Sequence, residues 1–199
     1  NTALEKSGWF GSIQRTRIGS PYVISGMEDL VARGLQSVVG YEANGGFLTA
    51  TDLVREGRRL PALPTRDALL VAIVLLLAAR EQGLALSVLA ASLPPRFTAS
   101  DRIKDFPTEL SRAHLDALAT GNLSKDLQAA EALFGERFGP VASIDMTDGV
   151  RITFASGEIA HLRPSGNAPE LRAYTEADSR DRAWEMNRQC LELLGSWRL

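Results

Sequence analysis

Apolar residues recur along the chain at two periods, and the switch between them divides it. Val23, Met27, Leu30 and Val31 stand close to helical spacing behind Ser20-Pro21, an N-cap followed by proline at the first helical position, and Gly34 suits the stop. Ile13–Ile18 favours β structure, Val38–Tyr41 reads as a buried strand, and Gly45-Gly46 as the turn after it. Asp52–Pro64 is polar and reads as a loop with a charged arm (Arg55, Glu56, Arg58, Arg59). Thr65 opens the next helix, with Asp67 in its first turn. That helix runs through the unbroken apolar block Ala68–Ala79 to about Gln82, where Gly83 ends it, and Leu84–Ala91 is a shorter helical segment. The block is twelve residues long, too short for the ~20 that span a bilayer, and is expected to be a buried core helix.

Pro94-Pro95 forbids a continuing helix and sets a domain boundary near residue 93. Beyond it Phe97–Ile103 reads as a strand, Thr108–Ala119 and Ser124–Phe134 as helices, and Gly135–Pro140 as a break. Four strands follow, Ser143–Met146, Val150–Ala155, Glu158–Arg163 and Leu171–Ala177, with hairpin turns at Asp148-Gly149 and Ser156-Gly157. Asp178–Trp197 closes the chain as an amphipathic helix lined by Ala183, Met186, Cys190, Leu193 and Leu194. The expected fold is an α/β first domain (residues 1–93, a mixed sheet with helices) followed by an α+β domain (residues 94–199, an antiparallel four- to five-stranded sheet with flanking helices).

Composition narrows function only by exclusion. The 199 residues are 45% hydrophobic and 23% charged, with a formal net charge of −2, so neither a basic nucleic-acid surface nor a membrane span is expected. A single cysteine, Cys190, excludes an internal disulfide and a cysteine-rich zinc site. No secretory signal pattern opens the chain, and a cytoplasmic location is the default expectation.

Three segments could carry chemistry. Arg163-Pro164-Ser165-Gly166-Asn167-Ala168-Pro169-Glu170 joins two strands. Arg163 offers a planar fork suited to phosphate, Ser165 and Asn167 add donors, Gly166 permits a backbone nest, and the prolines stiffen both ends. On composition alone, the commoner reading is a hairpin loop with one solvated arginine. In Gly40-Tyr41-Glu42-Ala43-Asn44-Gly45-Gly46, Glu42 can accept from two vicinal sugar hydroxyls and Asn44 can donate and accept; alone, the commoner reading of the segment is a polar strand-to-turn transition. Thr16-Arg17-Ile18-Gly19-Ser20 ends at a helix N-terminus, where Ser20 could cap and also face a ligand, with Arg15 and Arg17 read as solvated. His114 has no second ligand at metal spacing, and His161 is a strand side chain near the loop.

Taken in order, these segments resemble the α-D-phosphohexomutases, whose members include phosphomannomutase and phosphoglucomutase. Asn1-Thr2-Ala3-Leu4-Glu5 resembles the opening of the family's third domain, and Thr16 through Ser20 its Thr-x-x-Gly segment. Gly40 through Gly46 stands at its sugar-binding Gly-Glu-x-Ser-Gly loop, and Thr65-Arg66-Asp67-Ala68 resembles the Lys-Asp-Gly that opens the following helix. Asp148-Gly149-Val150-Arg151-Ile152 and Arg163 through Pro169 resemble the fourth domain's strand and its Arg-Pro-Ser-Gly-Thr-Glu-Pro phosphate loop.

The resemblance implies domains three and four of an intramolecular phosphotransferase (an isomerase of carbohydrate metabolism) that interconverts hexose 6-phosphate and hexose 1-phosphate through a hexose 1,6-bisphosphate. Glu42, Asn44, Gly19 and Ser20 would hold the sugar, and Arg163, Ser165, Gly166 and Asn167 the non-transferred phosphate. Asn44 stands where serine is usual, and Asn167-Ala168 where the family has Thr-Glu. The family's phosphoserine loop, Thr-x-Ser-His-Asn-Pro, and its Mg²⁺ loop, Asp-Gly-Asp-x-Asp-Arg, belong to domains one and two, and neither motif stands in these residues. The expectation is therefore a fragment without catalytic residues or a metal site, whose partners are a hexose phosphate and those two domains. The opening Asn1 in place of Met and the start at the edge of the third domain agree with that expectation, and the first sheet would then lack its first strand. The alternative is a stand-alone, non-catalytic phosphosugar-binding module.

Overall fold

The computed structural model describes residues 1–198; Leu199, the last residue of the expected second domain, lies outside the described residues. Contacts divide the chain into two compact units. One is Phe10–Leu93, and the other joins Asn1–Trp9 to the residues from Pro94 onward. The short helix α1 (Ala3–Ser7) belongs to the latter.

In the Phe10–Leu93 unit, α2 (Ser20–Ala32) packs on the hairpin β1 (Val39–Tyr41) and β2 (Phe47–Thr49). Val23 and Met27 of α2 close a small core with Val38 and Leu48. Gly40 makes the approach possible: a Cβ there would lie 2.5 Å from Val23 Cγ1 and 2.7 Å from Met27 Sδ. A second hairpin, β3 (Leu53–Arg55) and β4 (Arg58–Leu60), precedes α3 (Ala68–Gln82) and α4 (Leu86–Ala91). The Asp67 carboxylate caps α3 through the amides of Leu69 and Leu70, both at 2.9 Å, and Gly83 ends it in the left-handed region at φ 65°.

Three expectations for this unit are corrected. Residues 13–18 form no strand, because no neighbouring strand pairs with them. Asp52–Pro64 is not simply a loop. It holds the β3–β4 hairpin, turned by Glu56 and Gly57 at positive φ and held by the ion pairs Arg55–Glu81 and Arg59–Asp52. The apolar block of α3 is not core: Leu69 is 74% exposed and Leu76 58%, while Ala79 is buried. The helix is apolar all round, and the two-stranded sheets beside it offer too little surface to cover such a cylinder.

The second unit is a five-stranded antiparallel sheet with helices. Its elements are β5 (Phe97–Ile103), α5 (Thr108–Leu118), α6 (Leu123–Phe138), β6 (Val141–Asp145), β7 (Val150–Phe154), β8 (Ile159–Pro164), β9 (Leu171–Ala177) and α7 (Arg180–Gly195). The strand order is β5-β9-β8-β7-β6. Ile152, Leu162, Leu171 and Ala173 point to one face, where they meet Leu115 of α5, Phe134 of α6, and Met186, Cys190 and Leu194 of α7 in a single core. The expected break at Gly135 does not occur. α6 runs through it to Phe138, and Gly139 supplies the stop at φ 85°. No described helix is long and apolar enough to cross a membrane.

Because strand side chains alternate, the other sheet face carries the complementary set. Register places Arg102, Arg172 and Arg163 side by side on β5, β9 and β8, and Ser100, Tyr174, His161 and Arg151 in the next row. Arginines and polar rings thus occupy the face at whose end the β8–β9 loop projects.

Candidate functional site

The β8–β9 connection is a tight loop. The Ser165 amide donates to Glu170 O at 2.8 Å, the Glu170 amide to Ala168 O at 2.8 Å, and the Phe106 amide anchors Pro169 O at 2.7 Å. Ser165 is buried and its hydroxyl accepts from the Asn167 amide at 3.4 Å, whereas Gly166 and Asn167 are exposed at the tip. Arg163, at the loop's base, pairs through Nε with Asp148 Oδ2 at 3.2 Å. Its two terminal nitrogens carry no partner among the described residues. A fork fixed at one nitrogen and open at two is suited to a tetrahedral anion.

Asp148 is itself held. His161 lies beside the turn with Nε2 2.5 Å from Asp148 O; since a carbonyl only accepts, Nε2 carries the proton. Burial pushes the His161 pKa below its ordinary value and outweighs the bond to Asp148, so the ring is neutral at pH 7. Glu170 closes the other flank, 3.1 Å from both Arg102 Nε and Arg172 Nη2. The loop sequence pointed to Arg163, Ser165, Gly166 and Asn167. It gave no role to Glu170 at its own end, nor to Asp148 and His161, which meet the base of the loop through hairpin register.

In the first unit, Glu42 lies just beyond β1, its side chain only 7% exposed. Ser20, expected as an N-cap, is instead the first residue inside α2, with Gly19 in the cap position at φ 130°. Its hydroxyl donates to Glu42 Oε2 at 2.9 Å. Arg66, just ahead of α3, donates from Nη2 to the same carboxylate oxygen at 2.6 Å, and from Nε and Nη2 to Ser20 Oγ at 3.0 and 2.8 Å. Asn44 turns its Oδ1 onto the Gly46 amide at 3.0 Å, so its carboxamide NH2 is the exposed part of the turn. The fold therefore gathers Ser20 and Glu42 around Arg66, a residue the sequence placed in a motif but in no role.

The remaining candidates have structural duties. Burial pushes the Cys190 thiol up to about 12, which leaves it protonated and inert. His114 stacks on Trp197 at 4.6 Å. Among the described residues no three His, Cys, Asp or Glu side chains gather as a metal site. The magnesium that the family resemblance implies has no fitting donor set among the described residues.

Two sequence models of the phosphoglucomutase/phosphomannomutase family match the chain: the alpha/beta/alpha domain III over residues 3–97 and the C-terminal domain over residues 115–193. A phosphomannomutase of Sinorhizobium fredii is 45% identical over 184 residues, 92% of this chain and 38% of that protein. One from Salmonella muenchen is 42% identical over 183 residues, 92% of this chain and 37% of that protein. The chain thus spans well under half the length of these relatives. A solved phosphoglucomutase/phosphomannomutase family protein from Burkholderia thailandensis superposes with a TM-score of 0.56 at 17% identity, over 92% of this chain and 32% of that one, and supports the fold.

Proposed function

The chain belongs to the phosphoglucomutase/phosphomannomutase family, matching its domains III and IV, and from that premise we propose that it forms the sugar- and phosphate-holding part of a longer hexose-phosphate mutase. Such an enzyme interconverts hexose 6-phosphate and hexose 1-phosphate. The phosphoryl group that a phosphoserine gives to one end of the sugar is matched by the one it recovers from the other end. The hexose 1,6-bisphosphate between the two transfers must turn end for end. The part that holds the far end must therefore accept a phosphate and a pair of sugar hydroxyls in either orientation. Arg163, Ser165, Gly166 and Asn167 would take the phosphate. Glu42 and Asn44 would take hydroxyls, with Gly19 and Ser20 shaping the support beneath them. By themselves these 199 residues would turn over no hexose phosphate, because neither a phosphoserine loop nor a magnesium loop stands in the sequence.

The observation that carries this reading is the half-engaged Arg163 at the base of a Ser-Gly-Asn tip. Calorimetric titration with mannose 1-phosphate tests it. Arg163→Ala is expected to weaken binding by about 2 kcal/mol, as for a charge-assisted hydrogen-bond pair, or roughly 30-fold. Unchanged affinity would remove the loop from the phosphate site.

A further inference from the structure

Ser20 has one proton to give and two lone pairs, and all three are in use. The proton goes to Glu42 Oε2, and the lone pairs face Arg66 Nε and Nη2. Glu42 Oε2 receives both Ser20 Oγ and Arg66 Nη2. What these three side chains leave without a partner among the described residues is one acceptor, Glu42 Oε1, and one donor, Arg66 Nη1. We propose that Arg66 is the positioning residue of the sugar site, locking Ser20 and one oxygen of Glu42 so that a single carboxylate oxygen is presented to the hexose. This rests on the reading of Glu42 as a sugar-binding residue.

The chain is built to deliver this guanidinium. The Asp67 amide donates to Phe47 O at 3.2 Å, fixing the residue next to Arg66 against β2, while the Asp67 carboxylate caps α3. The Arg66 stem lies along Gly46, where a Cβ would stand 3.2 Å from Nε and 3.3 Å from Cδ. Arg66 Nη2 bridges Ser20 Oγ and Glu42 Oε2, and Nε adds a second bond to Ser20 that fixes the plane of the fork. A lysine keeps the charge and one bridging nitrogen but lacks the Nε bond and the rigid plane. One oxygen with two lone pairs can accept from two neighbouring hydroxyls, so the lock need not halve the grip on the sugar. It sets the direction from which the hydroxyls must come, and Ser20 acts through Glu42 rather than on the sugar.

The test is calorimetric titration of the 199-residue chain with mannose 1-phosphate, and separately with inorganic phosphate, which needs only the loop after β8. Arg66→Met is expected to weaken mannose 1-phosphate about tenfold and to leave inorganic phosphate unchanged. Arg66→Lys should recover only a minor part of the loss. In a Glu42→Gln background, Arg66→Met should cost nothing further, because its effect passes through that carboxylate. Full rescue by lysine, or losses that add in the double variant, would overturn the positioning role. If the unaltered chain binds inorganic phosphate but shows no preference for mannose 1-phosphate, the sugar reading of Glu42 falls, and this inference with it.

Discussion

Arg96→Met is expected to cost the second unit about 3–5 kcal/mol, the loss seen when one partner of a buried ion pair is removed. Arg96 enters the sheet just before β5 with 1% of its side chain exposed. Nε meets Glu176 Oε1 at 2.7 Å, Nη2 meets Gly157 O at 2.7 Å, and Nη1 reaches Asp178, an exposed residue whose share is small. Glu176, 6% exposed, also accepts from the Thr2 amide at 2.8 Å and from the Thr2 hydroxyl. Asn1 Nδ2 donates to Arg96 O at 3.1 Å, so the same cluster ties Asn1–Trp9 to this unit. Burial pushes the Glu176 carboxyl up, but the bonds from Thr2 and Arg96 together outweigh it and hold the pKa below the ordinary glutamate value. A depressed carboxyl stabilises the fold above its unfolded pKa and loses that contribution as pH falls through its folded one. Without Arg96 the carboxyl keeps its bonds from Thr2 but loses a bond that offsets burial, and it titrates higher than in the unaltered chain. The deficit of the variant should then be largest near pH 7 and shrink towards about pH 4, as Glu176 takes a proton. Urea unfolding at both pH values measures this, and Arg96→Met/Glu176→Gln should recover most of the loss. A single variant within about 0.5 kcal/mol of the unaltered chain would show that the pair is not what holds this end of the sheet.

Gly149→Ala is expected to cost on the order of 3 kcal/mol, from left-handed backbone strain and overpacking together. Gly149 stands at φ 79°, and a Cβ there would run into the backbone oxygen of Leu162 and lie 3.1 Å from Arg163 Cβ. The strand backbone of β8 cannot give way as a flexible side chain could. The displacement would fall on Arg163, so the same variant should also weaken phosphate binding. Gly157→Ala is the control: it shares the positive φ, at 81°, but has open space around it. If the two variants unfold at the same urea concentration, the close approach of β7 to β8 contributes nothing.

The second unit was the more legible in sequence. Leu171–Ala177 alternates through its first four residues, and its strand has the expected limits. The turn glycines 149 and 157 both adopt positive φ. Residues 165–170 stand as the loop between β8 and β9, while Arg163 and Pro164, expected in the loop, close the strand. What was hidden depends on register and on distance along the chain. Asp148 meets Arg163 only because β7 and β8 pair with Val150 opposite Leu162. Arg66 lies forty-six positions from the serine it holds. The β3–β4 hairpin escaped notice because its arginines and glutamate mask the alternation. The exposure of α3 was illegible for a different reason: apolarity records what a helix can bury, and not whether a surface stands ready to receive it.

The central proposal is that the turn around Glu42 and Asn44 binds a hexose and that the β8–β9 loop binds phosphate. Amide chemical-shift mapping of the 199-residue chain during titration with mannose 1-phosphate tests it most directly. The account predicts shifts in two clusters, residues 41–46 and residues 165–168, with inorganic phosphate moving the second cluster alone. Saturable binding that leaves both clusters unmoved, or no binding at all by a folded chain, would contradict it.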